Sequence, residues 1–124
     1  MPKFPPCQSF PTNTLLPVAN GPYEVTQAGH PAHSGSYGIQ FSGGNIDIKV
    51  IPHSVNQTEL ILYTKRQQYS FSIQVYMLDG SVKQIPLTLN YNVPQTVPIS
   101  TQFAVKIVID GGPDNWLQAI CPIS

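Results

Sequence analysis

Apolar side chains recur at every second position along most of this chain, and that period governs what it can fold into. Tyr69, Phe71, Ile73, Val75 and Met77 alternate with Ser70, Ser72, Gln74 and Tyr76, and Ile46, Ile48 and Val50 alternate with Asp47 and Lys49. Tyr37, Ile39 and Phe41 repeat the pattern, as do Tyr23 with Val25 and Phe103 with Val105, Ile107 and Ile109. Successive side chains of a strand point to opposite faces, so each run carries one apolar and one polar face. No segment shows the 3.6-residue period of an amphipathic helix. Turn clusters at Gly43-Gly44, Pro52-His53-Ser54, Asp79-Gly80 and Asp110-Gly111-Gly112-Pro113-Asp114-Asn115 separate the runs. The expectation is an all-β chain of about eight strands, an antiparallel two-sheet β-sandwich of jelly-roll or Ig-like type.

Two segments carry more detail. Leu60-Ile61-Leu62-Tyr63 is apolar at every position, as in a strand flanked by others. Asp79-Gly80 marks a long hairpin. A two-residue loop there would set Ile73 against Pro86, polar phase against apolar. A β-bulge near Lys83-Gln84 restores the phase by pairing Ile73 with Leu87, Phe71 with Leu89 and Tyr69 with Tyr91. It leaves Pro86 on an edge or at the bulge, because proline cannot donate to a ladder. The stretch from Val93-Pro94 to Pro98 reads as a loop.

Six of the thirteen prolines fall in residues 1–22, among the apolar residues Phe4, Phe10, Leu15, Leu16 and Val18. Proline excludes helix there. The expected organisation is a proline-rich arm, 1–22, packed on one sandwich domain, 23–124.

Six Lys+Arg balance six Asp+Glu, and charged residues are only 10 % of the chain. With no basic field, electrostatic capture of nucleic acid is not expected. No polybasic stretch would hold an anionic membrane, and no apolar run reaches the ~20 residues needed to insert. The outer surface has to be wetted by Gln, Asn, Ser and Thr. Cys7 and Cys121 stand near the two ends, and termini often lie close, so a single disulfide between them is expected over two free thiols. A disulfide, the low charge and the sequon Asn56-Gln57-Thr58 together point to a secreted or cell-surface protein. Met1-Pro2-Lys3 opens no apolar leader, so on this reading the leader is absent from the chain.

No pattern for catalysis emerges. A G-x-S-x-G elbow is missing, and Asp79, Asp110 and Asp114 sit where turn chemistry accounts for them. His30 and His33 are close in sequence but lack a third ligand nearby, and loop histidines in solvent account for them. The chain is therefore expected to be neither an enzyme nor a resident metal protein.

The segment ending in Trp116 is the candidate binding site. Asp110, Asp114 and Asn115 offer carboxylates and an amide for paired hydroxyls, and Trp116 an indole face for a sugar ring. The same acids could hold Ca²⁺. Tyr76 adds a second candidate, on a hairpin face with Ser70, Ser72 and Gln74 and facing Lys83, Thr88 and Asn90. From Gly43 to Ile120 the strand spacing and the late Trp116 resemble small β-sandwich modules that bind cell-wall polysaccharide. The expected function is a non-catalytic extracellular module that binds carbohydrate. The alternatives are a structural or assembly subunit (viral, appendage or matrix), which could homo-oligomerise, and an effector that binds a protein surface.

Overall fold

The computed structural model describes residues 8–9, 18–20, 22–27, 34–35, 38–41, 46–109 and 115–123. Among them are twelve strands and no helix. The first five are β1 (Gln8–Ser9), β2 (Val18–Asn20), β3 (Tyr23–Gln27), β4 (Ser34–Gly35) and β5 (Gly38–Gln40). Then come β6 (Ile46–Val50), β7 (Gln57–Thr64), β8 (Gln68–Met77) and β9 (Val82–Asn90). The last three are β10 (Gln95–Ser100), β11 (Ala104–Ile109) and β12 (Asn115–Ile123).

All pairings are antiparallel. One sheet runs β10-β7-β12-β5-β4, with β1 also against β12, and the other runs β2-β3-β6-β11-β8-β9. Eight strands pair as nested couples: β8 with β9 innermost, then β7 with β10, β6 with β11, and β5 with β12. Alternate couples fall in opposite sheets. A long hairpin wound around itself in this way is a jelly roll, which decides between the two sandwich types expected. Residues 8–9 and 18–20, within the proline-rich segment, add short strands to β12 and β3.

The two-residue period places the core. Val25, Ile39, Phe41, Ile46, Ile48, Leu60, Leu62, Ile73, Ile107, Ile109 and Leu117 are fully buried between the sheets. β7 lies between β10 and β12, the central place its continuous apolar run implied. Its alternate residues still separate: Thr58, Leu60, Leu62 and Thr64 are closed off from solvent, whereas Gln57, Glu59 and Ile61 are half-buried.

In three places the chain departs from the sequence-based expectation. The hairpin has no bulge near Lys83-Gln84: Ile73 faces Ile85, Phe71 faces Leu87 and Tyr69 faces Leu89. The extra residue lies in the turn. The Met77 N–H donates to the Ser81 carbonyl at 2.9 Å, leaving a three-residue loop with Gly80 at φ 89°. A three-residue loop closed by a left-handed residue restores the apolar phase before the return strand begins. Lys83 therefore faces Val75, and Val82 and Gln84 take its place beside Tyr76 and Gln74. Next, 95–100 is an edge strand on β7 where a loop was expected, and Pro98 is tolerated because its missing N–H lies on the open side. Finally, the register shifts between Ala104 and Lys106, so the phase breaks at Val105. Ala104 is buried in place of Phe103, which is 51 % exposed.

The Asp79 carboxylate steadies the turn by accepting from the Ser81 hydroxyl at 2.6 Å and the Ser81 N–H at 2.9 Å. These two bonds hold its carboxyl below the usual range. A Cβ on Gly80 would meet nothing within 4 Å, so Gly80→Ala costs only its left-handed backbone, about 1 kcal/mol. Urea unfolding should show that loss with an unchanged slope.

A buried hydroxyl chain crosses between the sheets. The Tyr23 phenol lies 2.6 Å from the Thr58 hydroxyl, which lies 2.9 Å from that of Thr101. Thr58 and Thr101 are fully buried and Tyr23 is 3 % exposed. Three hydroxyls in series satisfy one another where water cannot reach. Burial pushes the Tyr23 phenol up to about 12, against the opposing pull of its bond to Thr58. Below pH ~10 this tyrosine is neutral in both folded and unfolded chains, and its contribution to stability is complete. Between pH ~10 and about 12 only the unfolded chain releases the proton, so about 2–3 kcal/mol should be lost across that window. Tyrosinate absorbance should show a late-titrating component that disappears in Tyr23→Phe, and the stability of that variant should fall less steeply over the same range.

Candidate functional site

β12 begins at Asn115, paired with Thr64 at the end of β7, so the candidate segment enters the first sheet at one end of the sandwich. Asp110 and Asp114 lie outside the described residues, as do His30, His33 and Cys7. Asn115 is fully buried and its carbonyl accepts the Phe41 N–H at 3.0 Å. Its side chain offers a ligand no surface; its place is to anchor the segment. Trp116, the next residue, is half-buried on the outer face of the sheet.

Trp116 pairs in register with Tyr63, their rings edge to face with centroids 5.8 Å apart. The Tyr63 hydroxyl donates to Asn92 Oδ1, and Lys65 Nζ reaches the same oxygen at 3.4 Å. Lys65 Nζ also lies 5.6 Å from the centre of the Tyr63 ring, and the Arg66 guanidinium lies 5.1 Å from the Tyr69 ring. Tyr91 and Val93, each 54 % exposed, flank Asn92 on the β9–β10 turn. An indole edge, a phenol, an amide and two cations thus gather at one end. Asn92 holds φ 61°, a conformation asparagine accepts more readily than most residues, which aims its amide at this cluster.

The sequence reading missed Tyr63, Lys65 and Asn92. Tyr63 belonged to an apolar run with no visible face, and its partnership with Trp116 depends on β7 and β12 becoming neighbours. The positive φ of Asn92 left only a faint trace, Asn before Val-Pro.

Tyr76 does not join this site. It sits in the other sheet near the opposite end, opposite Val82 and Lys106. Roughly 30 Å of strand separates the two ends of β8. Lys106 Nζ lies 4.6 Å from the centre of the Tyr76 ring, and the phenol donates to Gln74 Oε1 at 3.3 Å. The hairpin face is polar, and a shallow groove of about 520 Å³ runs along it beside Ser70, Ser72, Pro86, Leu87 and Thr88. The Ser70 and Thr88 hydroxyls lie 2.9 Å apart across it.

The end nearer Tyr76 is built differently. Leu78 N–H donates to the Phe103 carbonyl at 2.8 Å and His53 N–H to that of Gln102 at 2.9 Å, tying three turns together. These turns expose Ile51, Leu78 and Phe103, each by half or more. Met77, Leu78, Asp79, Ser81, Lys83 and Phe103 line a cavity of about 330 Å³. Among the described residues no three of His, Cys, Asp and Glu gather as metal ligands.

No protein-family model matches the chain, and no curated protein aligns with it significantly.

Proposed function

We propose that the chain is a non-catalytic, extracellular binding module that recognises carbohydrate at the end of the sandwich where β12 begins. The half-buried Trp116 against Tyr63 is the observation that carries this reading. An aromatic face fits the apolar side of a sugar ring, and the Asn92 amide and Lys65 ammonium beside it can meet ring hydroxyls. Asp110 and Asp114 precede this cluster in the chain and would supply carboxylates. The zero net charge suits a neutral glycan. Isothermal titration against hits from a glycan array tests it: Trp116→Ala should weaken binding at least tenfold and Asp114→Ala severalfold, with circular dichroism restricting the comparison to folded protein. A wild type that binds no glycan, or a Trp116→Ala variant that binds as tightly, ends the proposal.

A Cys7–Cys121 disulfide belongs to the same reading. β1 pairs with β12 so that Gln8 faces Ile120, one position from Cys121, which is 4 % exposed. Cys7 directly precedes Gln8 in the sequence as Cys121 directly follows Ile120, and this pairing supports the bond. Intact mass with and without reductant, after thiol alkylation, decides it. In the sequon, the Thr58 hydroxyl already has a structural use between Tyr23 and Thr101, so the triplet by itself adds little weight to secretion.

The exposed Ile51, Leu78 and Phe103 favour a second reading, an assembly subunit that buries this end against a neighbour. Sedimentation velocity separates the two: a monomer at high concentration supports the binding module, and association lost in Phe103→Ser supports the subunit.

A further inference from the structure

Among the described residues β9 ends one sheet and β10 ends the other, and the two edges adjoin, since the Gln95 side chain on β10 reaches the backbone of Asn90 and Thr88 on β9. An edge strand offers a row of unpaired N–H and C=O groups to any other strand. In β9 the direction of that row can be read from two bonds. Gln95, half-buried at the start of β10, accepts the Asn90 N–H with Oε1 and donates from Nε2 to the Thr88 carbonyl at 3.4 Å. Both backbone groups therefore point away from β8. Backbone groups alternate sides along a strand, so those of Val82, Gln84 and Pro86 point outward as well.

The side-chain amide of Gln95 thus occupies the position of a peptide unit in a neighbouring strand, with donor and acceptor each against its complement. Pro86 has no N–H, and the side on which it would be missed is the open one. Its pairing with Ser72 costs β8 nothing, while an incoming strand would find a gap there. Between Pro86 and Gln95, the uninterrupted outward groups shrink to those of Val82 and Gln84, too few for a stable strand pairing. Lys83 between them adds a charge to the same edge.

We infer that Gln95 and Pro86 guard the β9 edge against strand addition by a second copy of this chain. Such addition would join two copies of β9 antiparallel and extend the sheet across both molecules. This inference is independent of the carbohydrate reading. It also narrows the assembly reading, because contact through the Ile51, Leu78 and Phe103 end remains open while growth by sheet extension at β9 does not.

Two measurements on the full chain test it. By NMR, the Asn90 amide should exchange at least about tenfold faster in Gln95→Ala than in wild type, while the Leu89 amide, which points to β8, should hold its rate. Gln95→Glu keeps an acceptor for Asn90 and should restore its protection, which general loosening would not do. By sedimentation velocity, Gln95→Ala combined with Pro86→Thr should associate with rising concentration where wild type does not pair through β9. Circular dichroism keeps the comparison to folded protein. Unchanged Asn90 exchange in Gln95→Ala overturns the guard. So does a folded double variant no more associated than wild type, or a wild type already joined through β9.

Discussion

Gly38→Ala should cost about 3–5 kcal/mol, far more than the same methyl added at Gly80. Gly38 holds φ 107°, and a Cβ there would lie 2.3 Å from the Leu117 carbonyl oxygen and 2.7 Å from Gln118 Cα. Both atoms are backbone of β12, a strand flanked on either side, so they cannot swing away as a side-chain tip could. The crowding has a local origin. The β7–β12 register shifts between Leu117 and Ala119, leaving Gln118 as an extra residue, and Gly38 lies against that stretch. Bulges bend the chain, and here the neighbouring strand accommodates the bend with a residue lacking a side chain. Gly80→Ala is the control, since it shares the positive φ and meets nothing. Urea unfolding should separate the two by about 2 kcal/mol or more, and with total stability of about 5–15 kcal/mol Gly38→Ala should be close to unfolding at 37 °C. Equal losses would mean that β5 and β12 do not approach as described.

Leu62→Ala should cost about 3–4 kcal/mol, and Ile61→Ala, one residue away, about 1 kcal/mol. Leu62 is fully buried and belongs to the core, whereas Ile61 is half-buried on the outer face. Truncating Leu62 leaves a cavity between two packed sheets, while the gap at Ile61 opens toward solvent and can relax. Differential scanning calorimetry on the pair measures which face of β7 looks inward. A reversed order would require a register slip of one residue along the central strand, which would also move Tyr63 away from Trp116.

Much of the fold is legible because parity is local. Ile46, Ile48, Val50, Ile73 and Val75 declare their side by alternation alone, and all five are buried. Where an extra residue intrudes, the pattern misleads. Phe103 alternates in phase with Val105 and Ile107, yet the break at Val105 sends it to the surface. At the hairpin the mismatch between Ile73 and Pro86 correctly signals one residue too many. Turn and strand can each absorb that residue, and only the Met77–Ser81 bond shows that the turn does so. For the site, Trp116 is visible as a lone indole beside turn acids, but Tyr63, Lys65 and Asn92 come from segments 24 to 53 positions earlier in the chain.

Alone, the sequence establishes an antiparallel all-β chain with a neutral, amide-rich exterior, because the two-residue period and the scarcity of charge follow from residue identities and their immediate order. The nested jelly-roll pairing, the meeting of Trp116 with Tyr63, the need for glycine at 38 and the capping of β9 by Gln95 were decided by tertiary structure. Each depends on which strands become neighbours and on where single extra residues shift their register, and both are properties of the assembled sheets.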